Sequence, residues 1–221
     1  MRNIPVTAIE IVEDFSATAS CEEGFLHLRR LRARNRRSDG SESAIYRIDV
    51  VDRPKLDAVA VLVWRQGPGG LEFLTRTQLR PAAYFRAGKR PVIPEDRQWL
   101  FCEEIVAGLL EPSDDGERGL KARAAEEVLE EAGYRVPPDS IVPLGPPFFV
   151  APGILSEKIF LTHVDVTGLS PGDPEGDGSP MEEGSVLRWR SKEELASAIA
   201  DGSLQDAKTE LAFRRFVDQA G

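Results

Sequence analysis

The stretch AAEEVLEEAGY, residues 124–134, carries four glutamates close together, Glu126, Glu127, Glu130 and Glu131. Alanine, leucine and glutamate favour a helix, and the glycine near the end of the stretch is typical of a helix end. Residues three and four positions apart share a helix face, so three of these carboxylates lie side by side and repel each other by roughly 0.2–0.5 kcal/mol per pair. The stretch therefore predicts either a solvated acidic face or a helix that offers several oxygens to one divalent cation, because such cations prefer oxygen ligands.

The composition limits the partners and the compartment. The chain has 221 residues, and its 28 basic and 37 acidic residues give a formal charge of −9. That balance argues against a general affinity for nucleic acid or for an anionic membrane surface. A small phosphorylated substrate stays open, because a bound divalent metal can supply local positive charge. Cys21 and Cys102 are too few for a disulfide framework or a zinc cluster. Neither a signal peptide nor a long apolar run is visible, so a cytoplasmic protein that binds no membrane is expected.

The N-terminal region predicts a small β structure. Residues 24–52 contain two apolar-patterned strands with SDGS, residues 38–41, as the turn between them. The basic cluster RRLRARNRR has apolar residues interleaved, which favours a hairpin with one solvated face over a nucleic-acid surface.

The remainder mixes strands and helices without strict alternation. DAVAVLVW, residues 57–64, predicts a buried strand that turns at GPGG into LEFLTRTQLR, and LFCEEIVAGLL predicts one further strand that ends at Gly108. Helices are predicted at residues 120–133, at SKEELASAIADG, where Ser191 and Glu194 form a capping box, and at DAKTELAFRRFVDQ. We expect an α/β fold with a mixed sheet flanked by helices rather than a doubly wound parallel sheet.

The segment AGLLEPSDDGERGLKARAAEEVLEEAGY, residues 107–134, resembles the Nudix box, whose pattern is G-x5-E-x7-R-E-U-x-E-E-x-G-U with U aliphatic or aromatic. The matching positions are Gly108, Glu127, Val128, Glu130, Glu131, Gly133 and Tyr134. The pattern is long, and it falls in the strand–loop–helix context that the family requires.

The sequence departs from the box in two places. The loop after Gly108 is four residues longer than the pattern. Three acidic residues are therefore candidates for the first box glutamate: Asp114, Asp115 and Glu117. Glu126 occupies the position of the box arginine, which in the family braces the metal-binding glutamates. Arg123, one turn earlier and four residues before Glu127, is the candidate replacement.

Four further segments are similar to motifs of the ADP-ribose and nucleoside-diphosphate-sugar pyrophosphatase branch: TQLRP (77–81), EEIVAG (103–108), APGILSEK (151–158) and DGSLQDAKT (201–209). The resemblance covers nearly the whole chain. It implies the Nudix fold, with an N-terminal antiparallel β subdomain at residues 1–56 and a Nudix catalytic domain at residues 57–221. In this branch the N-terminal strands commonly build a homodimer and help to form the substrate pocket, so a homodimer is expected.

The resemblance implies Mg²⁺-dependent hydrolysis of the pyrophosphate in ADP-ribose or a nucleoside-diphosphate sugar, with Mn²⁺ as the alternative cation. The products would be a nucleoside monophosphate and a sugar phosphate. The implied metal ligands are the Ala107 carbonyl, Glu127, Glu130 and Glu131. Gln78 and Arg80 are the implied substrate-binding residues, Arg80 as a bidentate donor to a phosphate or the ribose.

The general base is left open by the sequence. In this branch a glutamate from the long loop before the last strand often orients the water, which points to Glu182 and Glu183, and Glu157 is a further candidate. A solvated acidic loop is an equally good interpretation of Glu182 and Glu183. Glu130 and Arg123 complete the residues that are expected to support catalysis.

Two other functions remain open. A non-catalytic Nudix domain could bind a nucleotide-sugar as a sensor or scaffold, and Glu126 at the box arginine position together with the long box loop supports that alternative. Another nucleoside-diphosphate-linked substrate, such as NADH or coenzyme A, would keep the chemistry and change the pocket.

Overall fold

The computed structural model describes residues 6–14, 26–176, 178, 182 and 184–220, with the backbone alone described at residues 6–11, 14, 88 and 220. The chain divides into two compact units. The first comprises Met1–Leu56 and Phe149–Lys158, and the second comprises Asp57–Phe148 and Ile159–Gly221.

Three antiparallel strands form the sheet of the first unit: β1 Val6–Asp14, β2 His27–Arg37 and β3 Tyr46–Asp52. The predicted hairpin is confirmed, with His27 opposite Asp52 and Ala33 opposite Tyr46. Successive side chains point to opposite faces of a strand, so the central strand β2 buries Leu31 and Ala33 and leaves most of its basic side chains exposed.

Eight strands form the larger sheet: β4 Ala58–Gly67, β5 Gly70–Leu79, β6 Phe101–Glu104, β7 Val106–Leu109, β8 Val142–Pro143, β9 Phe148–Phe149, β10 Lys158–Asp165 and β11 Val186–Ser191. The main order is β11-β5-β4-β10-β8, with β6 beside β5 and β7 beside β4. Strand β10 runs parallel to β4, whereas β5 and β7 run antiparallel to it. The sheet is therefore mixed, as the sequence predicts.

Strand β4 lies at the centre of the sheet and is buried on both faces. On one face, Leu62 packs in an apolar cluster with Phe73 and Phe216, whose rings meet edge to face at a centroid distance of 5.4 Å. On the other face, Val61 packs with Val128. A strand that is apolar on both faces needs helices above and below the sheet, and the chain supplies them.

Four helices are present in the described part of the chain: α1 Pro81–Tyr84, α2 Gly116–Ala132, α3 Lys192–Ala200 and α4 Ala207–Ala220. Helix α2 covers one face of the sheet, and α3 and α4 cover the other. The predicted capping box starts α3, because the Ser191 hydroxyl accepts the Glu194 N–H at 3.1 Å. Helix α2 ends at Gly133, whose φ of 74° suits glycine. None of these helices is long and apolar enough to cross a membrane.

Two element boundaries differ from the sequence predictions. LFCEEIVAGLL forms two strands instead of one, because the Ile105 N–H donates to the Thr209 hydroxyl at 2.9 Å and the chain passes there from β5 to β4. Helix α2 begins at Gly116, a full turn before the predicted start. Its first-turn glycine, Gly119, predicts a loop from sequence. A Cβ there would stand 2.4 Å from the Asp114 carbonyl carbon, so this glycine allows the chain just before the helix to approach its first turn closely.

Candidate active site

Gly108 on β7 determines where the box glutamate Glu127 can lie. A Cβ on Gly108 would stand 1.8 Å from the carboxyl carbon of Glu127, so a larger residue would displace that carboxylate. Val128, the next residue of α2, is fully buried in the core against the sheet. The helix thus rests on the sheet through apolar side chains and directs Glu127 to β7. Gly108 and Glu127 both match the box pattern, and the lack of a side chain at Gly108 leaves the space that the Glu127 carboxylate occupies.

The carboxylates at this end of α2 are not fully compensated. Burial raises the pKa of Glu127 to about 7, and the negative charges of Glu131 and Glu130 act in the same direction. Burial also raises the pKa of the Glu131 carboxyl, although the charge of Arg76 opposes the rise. Negative charge is therefore in excess where α2 meets β7.

Both carboxylate oxygens of Glu131 have protein partners. Oε2 accepts a hydrogen bond from the Ala107 N–H at 3.0 Å, and Oε1 accepts one from the Gln78 amide at 2.8 Å. The Arg76 guanidinium forms an ion pair with the same Oε1. Gln78 and Ala107, which the resemblance assigns to substrate and metal, thus both lie at this carboxylate.

The backbone of Ala107 is directed away from β4. In an antiparallel ladder, two residues that face each other either exchange both of their backbone hydrogen bonds or exchange neither. Ala107 faces Ala60 across the ladder, yet its N–H donates to Glu131. The Ala107 carbonyl therefore points to the same free side of β7 as the N–H, where it is available as an oxygen ligand.

Arg76 is a site residue that the sequence analysis missed. It lies on β5, is 5% exposed, and donates to Glu182 at 2.7 Å and to the Ser185 hydroxyl at 2.8 Å. Nη1 faces Glu131 but has no aligned hydrogen-bond acceptor among the described residues, so that contact is ionic. A signal was present in the sequence, because Arg76 precedes Gln78 by two residues on a strand and therefore shares its face.

Arg123, the predicted replacement for the box arginine, contacts other carboxylates. Its Nε donates to Asp114 at 3.0 Å, and its Nη1 pairs with the half-exposed Glu126 at 2.8 Å. Asp114, one of the three candidates for the first box glutamate, also accepts the Glu111 N–H at 2.8 Å and so links the loop before α2 to Arg123. Arg123 therefore braces the loop before α2. Its charge only opposes the rise in the pKa of Glu127 that burial causes, and its role toward a metal stays a prediction.

A second group of charges lies where β5 ends. Arg80 donates to Glu104 at 2.6 Å, and Lys208 pairs with Glu104 and, at 2.8 Å, with Asp206. Asp206 also accepts the Thr209 N–H at 2.9 Å. Burial alone would raise the pKa of Glu104, but the hydrogen bond from Arg80 and the charge of Lys208 lower it overall. We call Arg80, Glu104, Asp206 and Lys208 the balanced cluster.

Three other predicted residues lie elsewhere or outside the described part. Glu130 is half-buried on α2, and its backbone carbonyl accepts the Gly176 N–H at 3.1 Å. Glu157 belongs to the first unit, where it forms an ion pair with Arg53. Glu183 lies outside the described residues. Their catalytic roles stay predictions.

The oxygen donors where α2 meets β7 suit a hard divalent cation in chemistry and in charge. Burial, together with the charges of Glu131 and Glu130, raises the pKa of Glu127 to about 7, and a bound cation would oppose that rise. No three histidine, cysteine or carboxylate side chains within the described ranges are grouped so that they could hold a metal ion together. The predicted ligand set therefore stays a prediction. We call Arg76, Gln78, Glu127, Glu131 and Glu182 the carboxylate-rich cluster.

No family model matches the chain, and no curated protein matches it. Among solved structures, the crystal structure of an ADP compounds hydrolase is similar over 99% of this chain and 95% of that chain, with a TM-score of 0.60 and 15% sequence identity. This likeness confirms the predicted fold class, an α/β Nudix fold with a mixed sheet flanked by helices and an N-terminal antiparallel β subdomain. At this sequence identity the likeness concerns the fold.

Proposed function

We propose that the chain is a Nudix-type hydrolase that depends on Mg²⁺ or Mn²⁺ and cleaves the pyrophosphate of ADP-ribose or a nucleoside-diphosphate sugar. The observation that carries the proposal is the uncompensated Glu127 carboxylate, with its pKa near 7, seated against Gly108 at the box helix. The structural likeness to an ADP compounds hydrolase supports the substrate class.

In the proposed reaction a water oxygen bonds to one phosphorus, the bridging P–O bond breaks, and a nucleoside monophosphate and a sugar phosphate leave. The cation would neutralise the diphosphate and lower the pKa of the attacking water. Glu127 and the Ala107 carbonyl would hold it, with Glu130 and Glu131 beside them. Glu182, which Arg76 holds at 2.7 Å, is our candidate for the group that accepts the proton of the water.

Arg80 is the proposed contact to a phosphate or to the terminal ribose. Glu104 fixes its Nε at 2.6 Å, while the Arg80 side chain remains 40% exposed. A guanidinium held from one side keeps its remaining N–H groups available for bidentate recognition of a phosphate. Gln78 donates to Glu131 and so contributes by orienting that carboxylate.

A non-catalytic domain that binds a nucleotide-sugar is the second candidate. One observation favours it: both Glu131 oxygens already have protein donors, Ala107 and Gln78, and Arg76 adds an ion pair. In that case the Glu131 carboxylate would stabilise the pocket and would not help to hold a cation.

One assay separates the two candidates. A panel of nucleoside-diphosphate-linked compounds is incubated with Mg²⁺, with Mn²⁺ and with EDTA, and the released nucleoside monophosphate is measured. We expect release from ADP-ribose or a nucleotide-sugar with either metal and none with EDTA. Glu131→Gln should lower turnover by about 10²–10³-fold in a folded protein, because it removes several kcal/mol of charge interaction. Binding of a nucleotide-sugar without hydrolysis would favour the sensor, and a preference for triphosphates would contradict the proposed substrate class.

The assembly is part of the proposal. We propose a homodimer in which the first unit contributes to dimer formation and to the substrate pocket. Light scattering on the full chain should give twice the mass of one chain. Removal of residues 1–55 should abolish both the dimer and the hydrolysis, and a monomeric full chain would contradict this arrangement.

A further inference from the structure

The Arg76 guanidinium contacts both the box helix and the segment that leads into β11. Nη1 faces Glu131 on α2, Nη2 donates to Glu182 at 2.7 Å, and Nε donates to the Ser185 hydroxyl at 2.8 Å. That hydroxyl in turn donates to the Thr77 carbonyl of β5 at 2.6 Å. Three nitrogens of one rigid, planar group are thus directed at three different partners.

This placement differs from that of a buried arginine that only joins strands. Transfer of a charge out of water costs several kcal/mol, and a single well-aligned carboxylate offsets that cost best. Arg190 on β11 follows this rule, because its Nε and Nη2 both bond to Glu103. Arg76 instead contacts two carboxylates, Glu131 and Glu182, that come from two different segments of the chain. A single rigid guanidinium therefore holds one of these carboxylates relative to the other.

We propose that Arg76 is the positioning residue of this site and that it holds Glu131 of the box helix and Glu182 of the preceding loop to β11 in one place. It contacts Glu131, whereas Arg123 contacts Asp114 and Glu126. Glu126 at the box arginine position pairs with Arg123, which leaves Glu131 to be held from the sheet. This inference rests on the proposed function, since joining these two carboxylates serves a reaction in which both act on one substrate.

Hydrogen exchange tests the tether without any assay of activity. The Ser185 N–H donates to the Glu182 carbonyl at 3.0 Å, and the Val186 N–H donates to the Thr77 hydroxyl at 3.0 Å. Arg76→Met should speed exchange at these two amides by at least about tenfold and leave the amides of β4 unchanged, because only the local segment is released. Arg190→Met is the matched control and should leave the two amides unchanged. Equal acceleration in both variants would overturn the proposal.

Kinetics test the positioning. In folded Arg76→Met, kcat should fall by about 10²-fold, the cost of a small misplacement of reacting groups. KM should stay within about threefold, because the substrate contacts are intact. Arg76→Lys keeps the charge but lacks the planar guanidinium, so its kcat should lie between that of the wild type and that of Arg76→Met. An unchanged kcat in either Arg76 variant, or an equal loss in Arg190→Met, would count against Arg76.

A double-mutant cycle shows whether Arg76 acts through Glu182. If it does, Arg76→Met combined with Glu182→Gln should be no slower than the slower single variant, because both remove the same arrangement. If the losses in kcat of the two single variants multiply in the double variant, the two residues act independently and the proposal is overturned. Should Arg76→Met fail to fold, Arg76→Lys with Glu182→Gln gives the same test.

The failure of this inference and the failure of the proposed function have different signatures. A wild-type chain that hydrolyses no member of the panel would refute the proposed function. The exchange rates at Ser185 and Val186 would then still decide whether Arg76 holds the Glu182 segment. Hydrolysis by the wild type with normal exchange in Arg76→Met would refute the positioning role alone.

Discussion

Two clusters of charge lie a few residues apart along β5, and they differ in how their charges cancel. In the balanced cluster, Arg80 and Lys208 face Glu104 and Asp206, and the pKa of Glu104 is lowered despite its burial. In the carboxylate-rich cluster, the pKa of Glu127 rises to about 7. One strand therefore carries a satisfied ion-pair network beside a site that lacks positive charge.

The difference separates a structural role from a functional one. Buried charges that serve stability are paired, because an unpaired buried charge destabilises the fold. Carboxylates that remain uncompensated persist when a ligand supplies the missing charge, and strongly shifted pKa values mark such sites. Mutation of Glu104, Asp206 or Lys208 should therefore change mainly stability, whereas mutation of the carboxylate-rich cluster should change mainly activity. Arg80 is the exception within the balanced cluster, because it is also the proposed substrate contact.

The largest effect is expected at the balanced cluster. Lys208→Met leaves the buried Glu104 and the partly buried Asp206 with Arg80 as the remaining cation of the cluster, and the free energy of unfolding should fall by about 3–5 kcal/mol. The urea midpoint measures the loss. Arg214→Met is the control, since it breaks an exposed ion pair with Glu210 and should cost less than about 1 kcal/mol. Equal losses in the two variants would show that the cluster is not a buried network.

The next largest effect is a loss of activity in a chain that stays folded. Gly108→Ala places a methyl group where the Glu127 carboxylate lies, so that the carboxylate must move. Turnover should fall by about 10²-fold, because misplacement of a site group by about 1 Å has that cost. The free energy of unfolding should change by less than about 1 kcal/mol, since only a side-chain end moves. Gly69→Ala is the control: a Cβ at Gly69 meets open space, so neither turnover nor the free energy of unfolding should change. A fully active Gly108→Ala protein would show that Glu127 is not part of the site.

The sequence indicates four of the five residues of the carboxylate-rich cluster, and the range of the contacts explains why it does not indicate the fifth. Glu127 and Glu131 follow from local helix spacing, which places them on one face, and Gln78 and Glu182 follow from the resemblance. Arg76 was missed because its partners Glu131 and Glu182 are distant in the chain, and no local pattern pairs a strand arginine with them. Local spacing predicts that Arg123 braces Glu127, and the structure adds the contacts of Arg123 with Asp114 and Glu126.

The fold shows the same division between local and distant interactions. The central strand and the capping box at Ser191 follow from local pattern and are confirmed. The break at Ile105 depends on Thr209, which comes from the far end of the chain, so sequence predicted one continuous strand. Gly119 predicted a loop because the close approach of Asp114, which explains the glycine, is visible only in three dimensions.

The pH dependence of stability gives an intermediate effect. The folded chain keeps the Glu127 proton up to about pH 7, whereas the unfolded chain releases it near the ordinary value of 4.5. The folded state then binds more protons in this window, so the free energy of unfolding falls as pH rises through it, by roughly 1–3 kcal/mol. His163, whose pKa burial lowers, contributes the opposite slope, so the quantity to measure is the difference between wild type and Glu127→Gln.

A bound divalent cation should restore the stability that the wild type loses as the pH rises toward 7. With EDTA, thermal scans should show Glu127→Gln gaining stability relative to wild type between pH 5 and pH 8. Mg²⁺ should raise the Tm of the wild type at pH 8 and much less at pH 5, because a protonated Glu127 is a poor ligand. A Tm that Mg²⁺ leaves unchanged at both pH values would contradict the cation site but not the fold.

The smallest effect is expected at the box arginine position, where Glu126 departs from the box pattern. Glu126 is half-exposed and pairs with Arg123 one turn away, so Glu126→Arg should change the free energy of unfolding by no more than about 0.5 kcal/mol. Turnover should equal or slightly exceed that of the wild type, because Arg76 already holds Glu131 from β5. Arg123→Ala should weaken the binding of Mn²⁺, since Asp114 and the loop before α2 lose their brace. A large gain in turnover from Glu126→Arg would mean that the helix lacks a brace and that the ion pair between Arg76 and Glu131 does not supply one.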